Sequence, residues 1–191
     1  MEKLIERLAE FHPLSDKSKQ QLISLMHYQK FDKNHRIADL GEVPTHFFVL
    51  TDGIVRSYAT DEKGKEYTRS LYVPTVATGA FSALILNKPS KVIYECLSDC
   101  SFLVCDFRKY KEYASQNIEL ANLYNAVMER VFISMEKRIY DLSMLDGKQR
   151  YLKLRNHIPN IENLIPQYHI ASYLNVTPVQ LSRIRKDLFK N

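Results

Sequence analysis

The sequence predicts an α+β chain of 191 residues, in which three consecutive parts differ in their pattern of apolar residues. From about residue 29 to residue 107, short runs rich in Val, Ile, Tyr and Phe alternate with turn signals, as in a small barrel or sandwich. From Gln116 to Leu145 the sequence has helical periodicity and lacks both Gly and Pro. We therefore predict a β domain in residues 1–115, a long helix in residues 116–146 and a small helical domain in residues 147–191.

The β domain is predicted to begin with two short helices, EKLIERLAEF and SDKSKQQLISLMHY, the second with Ser15 or Asp16 as its N-cap. The predicted strands that follow are THFFVL, IVRSYAT, KEYTRSLYV, KVIYECL and CSFLVCDF. DEKGK, between the second and the third of these, is a hairpin signal. Four of the five glycines fall at the breaks between strands, where glycine adopts a positive φ at little cost: Gly41, Gly53, Gly64 and Gly79.

The cysteines lie close together in the last two predicted strands, at Cys96, Cys100 and Cys105. An odd number argues against a disulfide framework, and their spacing matches no common zinc or iron–sulfur pattern. We predict buried free thiols rather than a redox sensor, and no metal site.

Composition also limits the compartment and the class of activity. No apolar run is long enough to cross a bilayer, and the N-terminus carries acids where a signal peptide has a basic end. We expect a cytoplasmic protein with no membrane partner. The sequence contains no Gly-rich phosphate loop, clustered carboxylates or nucleophile motif, so an enzyme is not predicted.

The long predicted helix has apolar residues spaced by four, three and four positions, at Leu120, Tyr124, Val127 and Val131. An apolar stripe of this length must be buried against something. It packs either on the β domain or on its own copy in a homodimer. We favour the homodimer, with these residues as its seam, and we expect Gly147 to break the helix.

The net charge of +5 is confined to the C-terminal end of the chain. The last fifty residues hold eight Lys and Arg against three acidic residues, which accounts for the whole excess. A basic surface attracts polyanions through counterion release, and nucleic acid is the commonest such partner. The alternative is a solvated basic face without a partner.

This basic segment has the pattern of two helices joined by a turn. Gln167 to Leu174 predicts the first helix, and Asn175-Val176 the turn. Thr177 is placed as an N-cap, Pro178 as the first helical residue and Gln180 as the capping-box partner. The residues predicted to face inward are Ile170, Ala171, Leu174, Leu181, Ile184 and Leu188.

The arrangement indicates a helix-turn-helix whose second helix enters the major groove of double-stranded DNA. The side chains predicted to read bases are Val179, Gln180 and Arg183, since Val suits a thymine methyl, Gln adenine and Arg guanine. Those predicted to contact the DNA backbone are Thr177, Ser182, Arg185, Lys186 and His169. The alternative is a basic helical hairpin with a structural role only.

IPQYHIASYLNVTPVQLSRIRKDL resembles the helix-turn-helix of the CRP/FNR family of bacterial transcription regulators, in the version found in Bacteroidetes-type members. Residues 12–72 are similar to the front of that family's cyclic-nucleotide-binding β-roll, and the long helix resembles its dimerisation helix. The resemblance implies a cyclic-nucleotide-binding-like β-roll, a homodimer and a palindromic DNA site. It places the base-reading positions on Pro178, Val179 and Arg183, with Gln180 beside them. RNHIPNIENLIP is short where longer members carry a β-hairpin, so a reduced or absent wing is expected.

The resemblance also indicates which effector to exclude. Cyclic-nucleotide binders of the family have a Gly-Glu pair for the ribose and an Arg after a Pro for the phosphate. Here Ala80 follows Gly79, and Ser90 follows Pro89. Cyclic AMP binding of the usual kind is therefore not expected, and no cofactor is predicted. The candidate residues for a pocket that takes a different small molecule are Gly79, Ser82, Ser90, Lys91, Arg69 and Tyr67.

A transcription regulator is thus the leading hypothesis, with DNA, a second copy, RNA polymerase and an unknown small-molecule effector as its candidate partners. The alternative is a ligand- or protein-binding β-roll whose C-terminal helices are structural. The sequence does not specify whether the protein activates or represses transcription. It also does not specify the operator sequence or the identity of the effector.

Overall fold

The computed structural model describes residue 6 and residues 11–188. The predicted helix EKLIERLAEF falls almost entirely outside the described residues. Helix α1 (Asp16–Ser24) begins after Ser15, whose side chain accepts a hydrogen bond from the Ser18 N–H, so the predicted N-cap is confirmed. The helix was predicted to continue through Tyr28, which is wrong, because Met26 and the residues after it pair with a strand.

The described residues form two four-stranded antiparallel sheets, as in a sandwich, one of the two predicted alternatives. The strands are β1 (Met26–Phe31), β2 (Arg36–Ala38), β3 (His46–Asp52), β4 (Val55–Thr60), β5 (Glu66–Tyr72), β6 (Val76–Thr78), β7 (Ile93–Cys96) and β8 (Cys100–Asp106). One sheet has the order β1-β8-β3-β6 and the other β2-β7-β4-β5, which leaves β5 at an edge. The five predicted strands correspond to β3, β4, β5, β7 and β8, and these and the β4–β5 hairpin are confirmed; strands β1, β2 and β6 were not predicted.

The interior of this β-roll is built from strands that are buried along most of their length. Leu50 of β3 and Phe102 of β8 have no exposed surface, and the three cysteines are buried free thiols, as predicted. Gly53, with φ +94°, makes the turn between β3 and β4. A Cβ there would lie 2.5 Å from the carbonyl oxygen of Asp99, so only glycine fits.

Helices occupy the rest of the described chain. They are α2 (Phe81–Leu86), α3 (Phe107–Gln116), α4 (Ile118–Met144), α5 (Gly147–His157), α6 (Ile161–Leu164), α7 (Gln167–Leu174) and α8 (Pro178–Leu188). The long helix was predicted to run unbroken from Gln116, but the chain is extended at Asn117. The Asn117 side chain accepts hydrogen bonds from the N–H groups of Glu119 and Leu120, and α4 therefore begins at Ile118.

The predicted role of Gly147 as a helix breaker is also wrong. The break lies at Leu145 and Asp146, and Asp146 caps α5 through a reciprocal pair of hydrogen bonds with Gln149. Gly147 is the first residue of α5. A Cβ there would lie 3.0 Å from a methyl of Val176, so this glycine allows α5 to approach the turn between α7 and α8 closely.

The predicted dimer seam is corrected by the packing of α4. Leu120 has no exposed surface, and Tyr124 and Val127 pack against the core formed by the β-roll, α1 and α3. Val131 is half-buried. The apolar side chains that remain exposed on α4 include Phe132, Met135, Ile139 and Leu142, which lie further towards the C-terminal end of the helix. Leu120, Tyr124 and Val127 therefore pack on the β domain, which was the alternative to a homodimer seam.

No helix in the described part of the chain is long and apolar enough to cross a membrane.

Candidate nucleic-acid interface

The predicted helix-turn-helix is present as α7, a short turn and α8. On α7, Ile170, Ala171 and Leu174 are at most 1% exposed and form the buried face, as predicted. Asn175 ends the helix in the left-handed conformation with φ +52°, which a short polar side chain tolerates. The chain is thereby redirected into α8 within the predicted turn.

The start of α8 is fixed by the predicted capping box. The Thr177 hydroxyl oxygen accepts a hydrogen bond from the Gln180 N–H at 3.2 Å. In return, the Gln180 side-chain oxygen accepts one from the Thr177 N–H at 2.8 Å. Pro178 is the first helical residue, where its missing N–H is not needed.

The two faces of α8 are also as predicted. Leu181 is 1% exposed, and Ile184 and Leu188 pack against the same core. On the opposite face Val179 is 62% exposed, and the side chains of Arg183 and Lys186 are exposed as well. We call this exposed row, Val179, Arg183 and Lys186, the reading face.

Gln180 is exposed, but hydrogen bonds within the capping box already occupy part of its side chain. A bidentate contact to adenine needs its amide both as donor and as acceptor. The amide oxygen already accepts hydrogen bonds from the N–H and the hydroxyl of Thr177, at 2.8 and 3.1 Å. Only the NH₂ group remains available without opening the cap. Gln180 is thus first a positioning residue for α8.

The predicted backbone contacts divide into two groups. Thr177 and Ser182 are exposed beside the reading face, and Lys186 is exposed at its C-terminal end. Arg185 is half-buried, and its charge acts on Glu162 of its own domain. His169 is only 6% exposed, and burial lowers the pKa of its imidazole to about 4. A buried neutral imidazole is not a phosphate contact, so that prediction for His169 is wrong.

The segment between α5 and α7 carries no wing. Residues of RNHIPNIENLIP form the end of α5 and the short helix α6, and no strand occurs in residues 147–188.

The predicted effector pocket was centred on the segment that leads into α2. Gly79 is buried with φ +141°, and Ala80 is 3% exposed in a cluster with Ala38, Ala83 and Tyr94. A carboxylate at position 80 would therefore replace a methyl group packed among apolar side chains. The stacked rings of Tyr72 and Tyr94, with centroids 6.0 Å apart, lie against this cluster.

The other candidate pocket residues are exposed or make hydrogen bonds of their own. Ser90 is buried, and its hydroxyl donates to the Val92 carbonyl at 2.7 Å. Tyr67 donates its hydroxyl hydrogen to Asp61 at 3.1 Å in the β4–β5 hairpin. Ser82, Lys91 and Arg69 are exposed. Within the described residues, no hydrogen bond or ion pair joins any two of the six candidates: Gly79, Ser82, Ser90, Lys91, Arg69 and Tyr67.

One set of contacts near α7 was not predicted from the sequence. The Ser172 hydroxyl accepts a hydrogen bond from the Thr68 N–H at 2.9 Å and donates one to the Glu66 carbonyl at 3.2 Å. Arg138 of α4 donates to the carbonyl of Arg69 at 3.1 Å and to the carbonyl of Tyr173. We call these contacts the β5–α7 joint. Because the acceptors are mostly backbone carbonyls, no residue pattern signals them.

Among residue 6 and residues 11–188, no three His, Cys, Asp or Glu side chains are grouped so as to hold a metal ion.

The sequence matches no protein-family model and no curated protein. Its fold, however, is that of several solved regulators. FixK2 from Bradyrhizobium japonicum aligns with a TM-score of 0.72 at 16% identity, over 85% of this chain and 84% of FixK2. A candidate CRP/FNR family regulator from Eubacterium rectale aligns with a TM-score of 0.71 at 18% identity, over 94% of this chain and 87% of that one.

A third structure is CLP from Xanthomonas campestris, a global regulator that responds to c-di-GMP. It aligns with a TM-score of 0.68 at 12% identity, over 88% of this chain and 89% of CLP. The predicted fold, a cyclic-nucleotide-binding-like β-roll with a long helix and a helix-turn-helix, is thereby confirmed.

Proposed function

We propose that this chain is a DNA-binding transcription regulator of the CRP/FNR type and not an enzyme. The observation that carries the proposal is the reading face on a capped α8. Its side chains project from a helix whose opposite side is anchored in the core by Leu181, and two of the three are basic. The net positive charge of the last fifty residues adds a general attraction to the DNA backbone.

The chemistry of the reading face suits direct contacts with base edges. Val179 and Arg183 are four positions apart and therefore lie above one another on one side of the helix. The guanidinium of Arg183 matches guanine O6 and N7, and the methyl groups of Val179 match the methyl of thymine. Lys186 and Ser182 are placed for the phosphates beside these bases.

A homodimer is the second part of the proposal. The row Met128, Phe132, Met135, Ile139 and Leu142 has the alternating spacing of a coiled-coil seam, and Phe132 is 63% and Ile139 58% exposed. Pairing two copies along this row would cover it and present two reading faces to a palindromic site. Such a dimer has RNA polymerase as a further candidate partner.

The β-roll is proposed to respond to something other than cyclic AMP. Ala80 is packed among apolar side chains, and the Ser90 hydroxyl is engaged by Val92, so neither can replace the ribose and phosphate ligands of the family. Any other effector would act by binding more tightly to one of two states of the dimer, which differ in the relative orientation of the two reading faces.

The proposal is tested by fluorescence anisotropy with labelled duplex DNA at several salt concentrations, on the wild type and on Arg183→Ala. Loss of one bidentate base contact costs about 1–3 kcal/mol, so the variant should bind its site about fivefold to 150-fold more weakly. Absence of binding by the wild type even at low salt would overturn the proposal. It would favour the alternative, a β-roll binding module with structural C-terminal helices.

A further inference from the structure

The β5–α7 joint contains a buried histidine that the proposed DNA contacts do not use. His169 is 6% exposed on α7, three positions before Ser172, which hydrogen-bonds to the edge of β5. Among the residues that the structure describes, nothing hydrogen-bonds to its buried Nδ1 atom. The neighbouring ring of Tyr168 lies 4.0 Å away, between centroids. A protonated ring would therefore carry a buried N–H without an acceptor, which is costly.

The charges that act on His169 come mostly from the β-roll. Burial is the main cause of its lowered pKa, and the positive charges of Arg56 and Lys33 lower it further, whereas Glu66 acts in the opposite direction. Arg56 is itself 3% exposed and held by Glu66 and Glu95, at 2.5 Å each. The two carboxylates are thus already engaged by one guanidinium. A protonated His169 would be a second cation, and both carboxylates, Glu66 and Glu95, are already paired with Arg56.

We propose that protonation of His169 opens the β5–α7 joint and separates α7 from the edge of β5. In the closed joint the imidazole is buried and neutral. In the open joint α7 leaves the edge of β5, and the imidazole reaches water. There it can take up a proton without burying an N–H that lacks an acceptor. Acid therefore shifts the joint from closed to open.

The direction follows from linkage between the proton and the joint. The pKa of His169 falls from its ordinary value of 6.5 to about 4 in the closed state, so the closed state is favoured above pH 6.5 and loses stability as the pH falls towards 4. At about pH 5.5 the ratio of closed to open joints should be about tenfold lower than at pH 7.5.

The test is amide hydrogen exchange by NMR on the full chain, at several pH values between 7.5 and 5. The reporter is the Thr68 N–H, since it donates to Ser172 across the joint. After correction for intrinsic exchange, its protection should fall about tenfold between pH 7.5 and 5.5 in the wild type. It should stay constant in His169→Gln, which does not titrate.

The matched control is His27→Gln, because His27 is exposed on β1, away from the joint. This variant should keep the pH dependence of the wild type. The Thr68 amide should also exchange faster than that of buried Phe102, because the joint opens without unfolding of the β-roll. Equal rates for the two amides, or equal pH profiles for the wild type and His169→Gln, would overturn the proposal.

A second measurement remains decisive if His169→Gln fails to fold. NMR titration of the His169 ring in the wild type should give a pKa well below 6.5 in the intact chain, and a value closer to 6.5 in Ser172→Ala. An ordinary pKa in the wild type would show that the ring is not buried in solution, which would overturn the proposal. None of these measurements needs DNA, so their failure would leave the proposed function untouched.

Discussion

The Ser172 hydroxyl bridges the Thr68 N–H and the Glu66 carbonyl, at 2.9 and 3.2 Å, and so joins α7 to an edge strand more than one hundred residues earlier in the chain. Strand β5 is at the edge of its sheet, and such strands expose backbone groups that can pair with other chains. Here a side chain of the helix-turn-helix domain satisfies two of them. The direction of the reading face is thereby fixed relative to the β-roll.

Ser172→Ala should destabilise the chain. It leaves the part-buried Thr68 N–H without its acceptor, a loss of about 1–3 kcal/mol in the free energy of unfolding. Urea unfolding followed by circular dichroism measures this difference. Ser182→Ala, which changes an exposed serine of α8, is the matched control and should lie within about 0.5 kcal/mol of the wild type. Equal stability of the two variants would show that the bridge contributes nothing.

Gln180 should affect the stability of α8 through its cap. Gln180→Ala removes the oxygen that accepts from Thr177, and we expect a loss of about 1 kcal/mol. Gln180→Glu keeps an acceptor in the capping box and adds a negative charge at the helix N-terminus, so its melting temperature should be close to that of the wild type. Thermal unfolding by circular dichroism compares the three proteins. A similar loss in both variants would contradict the positioning role.

Lys186 should contribute charge rather than base recognition. Lys186→Ala should weaken binding to all duplexes by a similar factor and reduce the slope of log K against log salt by about 1. Arg183→Ala should instead weaken binding to the preferred site more than binding to unrelated DNA. Anisotropy titrations of both variants on both duplexes distinguish these effects. A change of sequence preference in Lys186→Ala would show that this lysine reads a base.

Phe132→Glu should produce a monomer. It places a charge in the exposed apolar row of α4, where each copy would face the same charge on the other. Sedimentation velocity should show the wild type as a dimer and this variant as a monomer with unchanged circular dichroism. Lys137→Glu, an exposed position on the same helix outside that row, should remain dimeric. A dimeric Phe132→Glu protein would place the interface elsewhere.

The sequence was informative wherever a local rule acts. The capping box of Thr177 and Gln180, the buried face of α7 and the strands β3, β4, β5, β7 and β8 follow from spacing and residue type, and each is confirmed. The sequence was not informative where either of two distant elements could cover the same apolar face of a helix. The stripe that contains Leu120 satisfies the same periodicity whether it packs on a β-roll or on a second copy. For the same reason, burial of His169 depends on how α7 packs in the folded chain, which the sequence of α7 does not specify.

The claim that α8 reads DNA can be tested by selecting bound duplexes from a random pool. The wild type should enrich an inverted repeat with a guanine in each half-site, at a spacing of about one helical turn, and Arg183→Ala should lose the preference for that guanine. Selection of a repeat that Arg183→Ala binds equally well would contradict the assignment of the reading face. Recovery of no sequence, with no binding at low salt, would contradict the claim itself.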